Sequence, residues 1–324
     1  MKNDLAIVTG AAGWLGKSLV QALADRPVRA LGLPEADGDL RNPEVTERLC
    51  EGARGATLFH TAGVVHPKRV RDFFEVNVRG TENLLRAAAK AGVRRAVVVS
   101  SNSPVGTNPS PDHAFDEASP YAPYMGYGRS KMLMEQLVQG FSERGEIETV
   151  ILRPPWFYGP NQPPRQTLFF EMIRDGKGPV VGAGENRRSM VYIDNLVQGL
   201  LLAERTERAR GETYWIADER PYTMNEILDT VERLLEEEFL IPCAHRRLRL
   251  PGIASDVAWL VDWSLQKAGL YHQKVHVLSE MNKSIACSID KAKRELGYRP
   301  EIALEEGMRR SIAWCIERGE LRLR

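Results

Sequence analysis

A chain of 324 residues, 43% hydrophobic and 27% charged, is long enough for one or two globular domains, and its composition excludes a disordered, collagen-like or membrane-spanning polypeptide. With 44 Lys and Arg against 43 Asp and Glu, the formal charge of +1 offers no net field to a polyanion, so nucleic acid is not an expected partner. Cys50, Cys243, Cys287 and Cys315 are too scattered for a disulfide framework or a zinc site, which fits a reducing compartment and no metal.

Met1-Lys2-Asn3-Asp4 runs straight into a short apolar stretch ending at Gly10, without the longer apolar core and cleavage site of a signal peptide, and a cytoplasmic protein is expected. β-Branched, apolar runs at residues 5–9, 28–31, 57–61, 96–100 and 149–152 predict strands. Their near-continuous hydrophobicity is what a parallel sheet covered on both faces requires. Residues 14–24, 72–91 and 124–142 carry the 3.6-residue period of helices, and Lys90 followed by Gly92 marks the end of the second. This alternation predicts a Rossmann-type, doubly wound α/β domain over residues 1–154, with 189–218 returning to it. The Pro- and Gly-rich stretch that follows predicts a smaller, mixed α/β substrate lobe from 155–188 and 219–324. In that lobe Thr223-Met224-Asn225-Glu226 is a capping-box pattern, and Asp290 is expected to cap the helix that stops at Gly297.

Gly10-Ala11-Ala12-Gly13-Trp14-Leu15-Gly16 joins the first strand to the first helix. Glycines at this spacing permit a tight turn, close approach of a pyrophosphate and tight packing of helix on strand, while the helix N-terminus presents unpaired amides to the phosphates. The alternative is a bare strand-to-helix turn. An acid holding the ribose is expected about 20 residues on, but the second strand ends Leu31-Gly32-Leu33, with neither that acid nor an Arg for a 2′-phosphate. NAD is favoured and NADP stays open. Asp39, followed by Leu40, is the nearest acid able to reach the adenine, unless it is a solvated turn residue.

Tyr127-Gly128-Arg129-Ser130-Lys131 sets a phenol and an ammonium one helical turn apart. A neighbouring cation favours phenolate and lets the Tyr exchange a proton with an alcohol or carbonyl, although the same spacing also describes an exposed helix pair. The fourth strand ends at Ser100-Ser101, at the carboxyl edge where open α/β sheets bind ligands. Ser101 either holds the reacting oxygen or caps the next turn. Asn77, inside an apolar helix, is either functional or a core amide bonded to backbone.

Together with His60-Thr61-Ala62-Gly63, Asn77-Val78-Arg79-Gly80-Thr81, Leu152-Arg153-Pro154, Tyr158-Gly159-Pro160, Tyr192-Ile193-Asp194-Asn195 and Leu296-Gly297-Tyr298-Arg299-Pro300, these motifs span nearly the whole chain, which resembles the extended short-chain dehydrogenase/reductase superfamily. The resemblance implies that Tyr127 is the acid/base, that Lys131 binds the nicotinamide ribose and lowers the Tyr pKa, that Ser101 binds the substrate oxygen and that Asn77 supports a proton relay. It also implies that Gly10, Gly13, Trp14, Leu15, Gly16, Asp39, Leu40, Thr61, Ala62 and Gly63 line the cofactor, with Pro154 beside the nicotinamide.

Two branches of that superfamily compete for the substrate. Nucleotide-sugar epimerases commonly carry Asn two residues before Tyr-Gly-Pro; Trp156 stands here, an apolar surface suited to a hydrophobic or planar substrate. Arg188, six residues before Asp194, matches the position where the sugar branch grips a phosphate, or is a solvated loop charge. Tyr192-Ile193-Asp194-Asn195 looks more like the 3β-hydroxysteroid dehydrogenase-like branch, and Ser101-Asn102-Ser103 lacks the Asp-Glu pair of a sugar dehydratase. The expectation is therefore hydride transfer between a nicotinamide and a secondary alcohol or ketone. The alternatives are an epimerase with tightly bound NAD and a noncatalytic dinucleotide sensor. Residues 254–268, rich in Trp and preceded by basic residues 245–250, suggest either a membrane-surface helix or, as favoured, a roof over the cleft with its aromatics buried. The helices at 72–91 and 124–142 resemble those through which superfamily members form homodimers.

Overall fold

The computed structural model describes residues 4–32 and 38–321. Met1 to Asn3 of the opening segment, and Leu33 at the expected end of the second strand, lie outside the described residues.

The first half consists of β1 (Ala6–Thr9), α1 (Trp14–Ala22), β2 (Val28–Leu31), α2 (Pro43–Cys50), β3 (Thr57–His60), α3 (Val70–Phe74), α4 (Thr81–Lys90), β4 (Arg95–Val99), α5 (Met125–Glu143) and β5 (Glu148–Arg153). The second half adds β6 (Trp156–Tyr158), α6 (Pro164–Arg174), β7 (Pro179–Val181), β8 (Arg187–Arg188), β9 (Met190–Tyr192), α7 (Ile193–Arg205), β10 (Thr213–Trp215), β11 (Tyr222–Thr223), α8 (Met224–Arg233), β12 (Leu248–Leu250), α9 (Ile253–Lys267), α10 (Gln273–Glu280), α11 (Asp290–Leu296) and α12 (Leu304–Glu317).

The central sheet runs β10-β5-β4-β3-β1-β2, with every pairing parallel. All five expected strands form, within one residue at either end. Alternate residues of each strand serve opposite faces. Ile7, Leu58, Val98 and Ile151 pack with Leu84, Leu85, Met134 and Val138 of α4 and α5, whereas Val8, Phe59, Val97 and Val150 pack with Leu15 and Leu19 of α1 and Leu196 and Leu200 of α7. Three short pairings, β6 with β9, β7 with β12 and β8 with β11, carry the rest of the chain beyond the sheet's carboxyl edge.

The helix expected over residues 72–91 is not continuous. A π-helical turn, Glu75–Gly80, separates α3 from α4; such turns mark places where a side chain is re-aimed for function. α2 went unread, although Asn42 caps it by accepting from the Glu44 amide at 3.0 Å and Pro43 opens it. Thr223 caps α8 as expected, accepting from the Glu226 amide at 3.0 Å. Asp290 does not cap α11. It is the helix's first residue, and its own amide donates to Ser288 Oγ at 3.1 Å. Gly297 ends α11 in the left-handed conformation, as expected.

Candidate active site

The order of strands reverses between β1 and β3, and the loops leaving these two strands meet at the carboxyl edge, where a doubly wound sheet opens a crevice. Gly10 has φ +73°, and a Cβ there would lie 2.7 Å from the Ala62 amide nitrogen. A Cβ on Gly16 would lie 2.1 Å from the Gly10 carbonyl oxygen. Both positions exclude any side chain. α1 starts at Gly13 with no side-chain cap and no acid in its first turn, which leaves its amides and positive dipole end for an anion. Trp14 and Leu15 send their side chains elsewhere: Trp14 Nε1 donates to the Pro160 carbonyl at 2.6 Å, and Leu15 is buried in the core.

Behind the loop, His60 bridges Thr9 Oγ1 at 2.7 Å and Thr81 Oγ1 at 2.8 Å. Burial pushes its pKa down to about 3, with Lys131 adding to the effect, so the imidazole is a neutral strut tying β1 to α4. Thr61 Oγ1 donates to the Thr9 carbonyl at 2.7 Å. Asp39 is engaged by Arg41, accepting from its backbone amide at 2.9 Å and its guanidinium at 2.5 Å, and this pairing holds the carboxylate below its ordinary pKa. Leu40 is buried against Gly80.

Asn77 lies in the π-turn and uses its whole amide. Oδ1 accepts from the Val64 amide at 2.8 Å, while Nδ2 donates to the Val64 carbonyl and to Ser130 Oγ, both at 3.1 Å. It thereby fastens the loop after β3 to α5. A Cβ on Gly63 would sit 3.3 Å from Asn77 Oδ1 and 3.8 Å from Lys131 Nζ, so the floor beneath these two groups is bare backbone.

α5 begins at Met125 with φ +52°, a strained conformation for a non-glycine residue two positions before Tyr127. Gln266 of α9 accepts from the Gly126 amide at 2.9 Å, capping α5 from the opposite lobe. Gly128 lets the helix approach the turn after β4: a Cβ there would lie 2.5 Å from the Ser103 carbonyl oxygen. This approach, with the Tyr124 amide donating to the Ser103 carbonyl at 3.1 Å, brings Tyr127 beside the turn that carries Ser101. Burial pushes the phenol up to about 12, Ser101 draws it partly back, Glu280 raises it and Arg165 lowers it. Lys131 Nζ donates to the Val99 carbonyl at 2.9 Å, and burial lowers its pKa to about 8. Ser101 also caps its own turn, accepting from the Ser103 amide at 3.1 Å. Next to it the Ser100 hydroxyl is buried without a partner, at the end of the strand nearest Lys131.

Pro154 is buried directly after β5. Trp156 is half-buried and packs edge-on against Phe169, ring centroids 5.6 Å apart. Arg188 reaches the roof formed by α9 and α10, where it donates to the Glu280 carbonyl at 2.6 Å and faces Tyr124; burial lowers its pKa. That roof also brings Tyr271 against Phe73, centroids 5.3 Å apart, and Phe73 packs on Tyr127 at 5.7 Å. The expectation that the Trp-rich helix buries its aromatics is overturned: Trp259 and Trp263 are each 40% exposed, because Ser255 and Asp262 take the inner positions. The preceding basic segment is partly neutralised, with His245 against Glu232 and Glu236 and Arg247 against Asp229 and Glu232. Arg165, Tyr271, Glu280, Gln266 and His60 escaped the sequence reading. Only His60 stood inside a quoted motif; the others carry no spacing signal and reach the site through the fold.

With this geometry in place, residues 6–217 match the family described as the NAD dependent epimerase/dehydratase family, more than half of the chain. The chain belongs to that family. The extended short-chain dehydrogenase/reductase resemblance and the Rossmann-type sheet are both borne out, and the family member described here is an enzyme. It is 52% identical to the uncharacterized protein y4nL of Sinorhizobium fredii over 99% of this chain and 97% of that one. It is 29% identical to the 2-alkyl-3-oxoalkanoate reductase of Shewanella oneidensis, covering 95% of this chain and 86% of that one. Among solved structures it is similar to the dTDP-glucose 4,6-dehydratase DesIV of Streptomyces venezuelae with NAD and TYD bound, with a TM-score of 0.75 and 25% identity, covering 97% of this chain and 98% of that one. Its relatives thus include both reductases and sugar-nucleotide enzymes.

Proposed function

We propose that the protein is an NAD(P)-dependent oxidoreductase that moves a hydride between a nicotinamide and a secondary alcohol or ketone, with Tyr127 exchanging the proton at the substrate oxygen. The observation that carries this reading is the seating of the first turn of α5 on the Ser101-to-Ser103 turn at the carboxyl edge of β4, which sets Tyr127 beside Ser101 on the helix that also bears the buried Lys131. A phenol pushed up to about 12 by burial is protonated at neutral pH, so Tyr127 holds the proton that a ketone oxygen takes up on reduction and takes it back in the reverse direction. Ser101 Oγ donates to that same oxygen. Lys131, fixed by the Val99 carbonyl, retains most of its charge at neutral pH. Asn77, with both ends of its amide engaged, positions the loop after β3.

The residues fit a pyridine dinucleotide. A side chain on Gly10 or Gly16 would fill the cradle, the amides at the start of α1 suit a pyrophosphate, and the orphaned Ser100 hydroxyl stands at the strand end nearest Lys131. When bound, the dinucleotide supplies or accepts the hydride. Both oxygens of the Asp39 carboxylate accept from Arg41, and NAD is the favoured cofactor. The half-buried Trp156 and Phe169 favour an apolar or planar substrate, in keeping with the reductase among the relatives. We place the protein in the cytoplasm as a homodimer joined through α4 and α5.

A second reading, a nucleotide-sugar epimerase, is favoured by one observation. Arg188 is drawn into the roof with a single hydrogen-bonded carbonyl partner, leaving donors for a phosphate. Two incubations separate the readings. Oxidation of NADH or NADPH by a panel of apolar ketones supports the reductase; interconversion of UDP-sugars without added cofactor overturns it in favour of the epimerase. Dinucleotide binding with no turnover of either substrate class, in the parent and in Tyr127→Phe alike, would instead leave only the dinucleotide sensor.

A further inference from the structure

α9 is built inside out. Its inner stripe is Ser255, Ala258 and Asp262. Ser255 Oγ donates to the Leu278 carbonyl at 2.7 Å, Asp262 holds His276 Nδ1 at 2.7 Å, and Gln266 caps α5. These polar contacts fix the helix's rotation, so Ile253, Val257, Leu260, Val261, Trp259 and Trp263 face outward. Eight of the twelve large apolar side chains exposed among the described residues fall between positions 253 and 277, a concentration well beyond the scatter expected of a monomer surface.

The charges around this face have one sign. The Tyr271 amide donates to the Lys68 carbonyl at 3.3 Å and the Val70 amide to the Gly269 carbonyl at 3.1 Å, which sets exposed Lys68 and Arg69 beside exposed Leu270. Lys267 Nζ lies 4.6 Å over the Trp263 ring, and Lys274 shares a face of α10 with Val277, three residues on. Asp256, the one exposed acid among residues 253–280, is paired with Lys283 at 3.1 Å. In a chain whose overall formal charge is +1, cations therefore rim an apolar, Trp-bearing surface. An amphipathic surface of this kind lies at the boundary of an anionic bilayer, its Trp rings at headgroup level and its Lys and Arg toward the phosphates. A second copy is a poorer occupant, since a two-fold contact would bring the same lysines together.

We propose that the outward face of α9 and α10, with Lys68 and Arg69 at its edge, docks on the surface of an anionic phospholipid bilayer. The inner side of the same hairpin roofs Tyr127, so the candidate active site opens next to the lipid.

The test uses the full chain without cofactor or substrate, so its result is independent of the proposed reaction. The protein is sedimented with vesicles of phosphatidylcholine alone or with phosphatidylglycerol added, at low and high salt. Binding at least tenfold stronger to the anionic vesicles, weakened by salt and with Trp emission shifted to the blue, is expected. L260E with V261E, both on the exposed face, should lower that binding tenfold or more while the thermal melt stays unchanged. K267E with K274E should abolish the preference for anionic lipid and leave the thermal melt as in the parent. Absence of binding to either vesicle overturns the proposal. So does a dimer in solution that L260E with V261E dissociates, which would assign the face to a second copy.

Discussion

The central sheet and the α9–α10 roof solve the same problem in opposite ways. In the sheet, apolar residues point inward and are packed on both faces, so the periodicity of the sequence and the burial of the structure coincide. In the roof, Ser255, Asp262 and His276 point inward and Trp259, Leu260 and Val261 point out. The hydrophobic effect holds the first together. Specific hydrogen bonds hold the second, which makes it directional, local and sensitive to single polar changes. The contrast separates a rigid platform, where cofactor chemistry needs fixed geometry, from a roof whose orientation rests on a few polar links.

The largest expected effect tests the platform. Tyr127→Phe should lower kcat/KM on a ketone substrate by about 10²–10⁴-fold, with fluorescence titration showing dinucleotide affinity retained. Next comes the buried pair between α5 and β5, where Arg153 donates to Glu135 at 2.6 Å with both side chains nearly inaccessible. Glu135→Gln should cost about 3–5 kcal/mol in urea unfolding, because it leaves an uncompensated buried cation. Gly10→Ala should cost roughly 1–3 kcal/mol through its positive φ and its clash with Ala62, and should also weaken dinucleotide binding in the same titration.

The pH responses of the two regions should differ in kind. On the platform, kcat/KM should fall as pH rises through about 8, where Lys131 loses its proton. Lys131→Arg should move that limb upward in whatever activity remains. In the roof, Asp262 raises the pKa of His276 against the opposing cost of burial, with Glu280 adding to the rise. Tyr271 and Tyr124 pack on the same imidazole. Because the folded-state pKa is raised, the stabilisation is complete below the ordinary His value and is lost as pH rises through the folded one. Limited proteolysis of the hairpin should therefore quicken on the alkaline side, and Asp262→Asn should remove that dependence. The smallest effect is expected at the outer face, where Leu260→Glu should shift global stability by no more than about 0.5 kcal/mol.

The platform was largely legible because its signals are local. The three glycines of residues 10–16 announce a turn that tolerates no Cβ, and the structure finds the Gly10 carbonyl where a Gly16 side chain would be. Thr223 announced its cap through neighbouring residues alone. Asn77 was flagged as an amide in an apolar helix, but its partners, Val64 and Ser130, lie 13 and 53 residues away, and the π-turn that aims it leaves no periodic trace. Lys131 was readable one turn beyond Tyr127, but its partner, the Val99 carbonyl, lies 32 residues away and leaves no local signal. Asp290 looked like a cap because Asp commonly caps helices, yet Ser288 two residues earlier takes the amide.

By itself, then, the sequence determined the parallel sheet, the strand-to-helix glycine turn and the phenol and ammonium one turn apart, since each rests on contacts within a few residues or on burial repeated at a fixed period. Only the tertiary structure decided which groups hold Asn77 and Lys131, and which way α9 faces. Those outcomes depend on hydrogen bonds and charges between segments far apart in the chain, whose free energies are comparable with those of the alternatives and which no local pattern encodes.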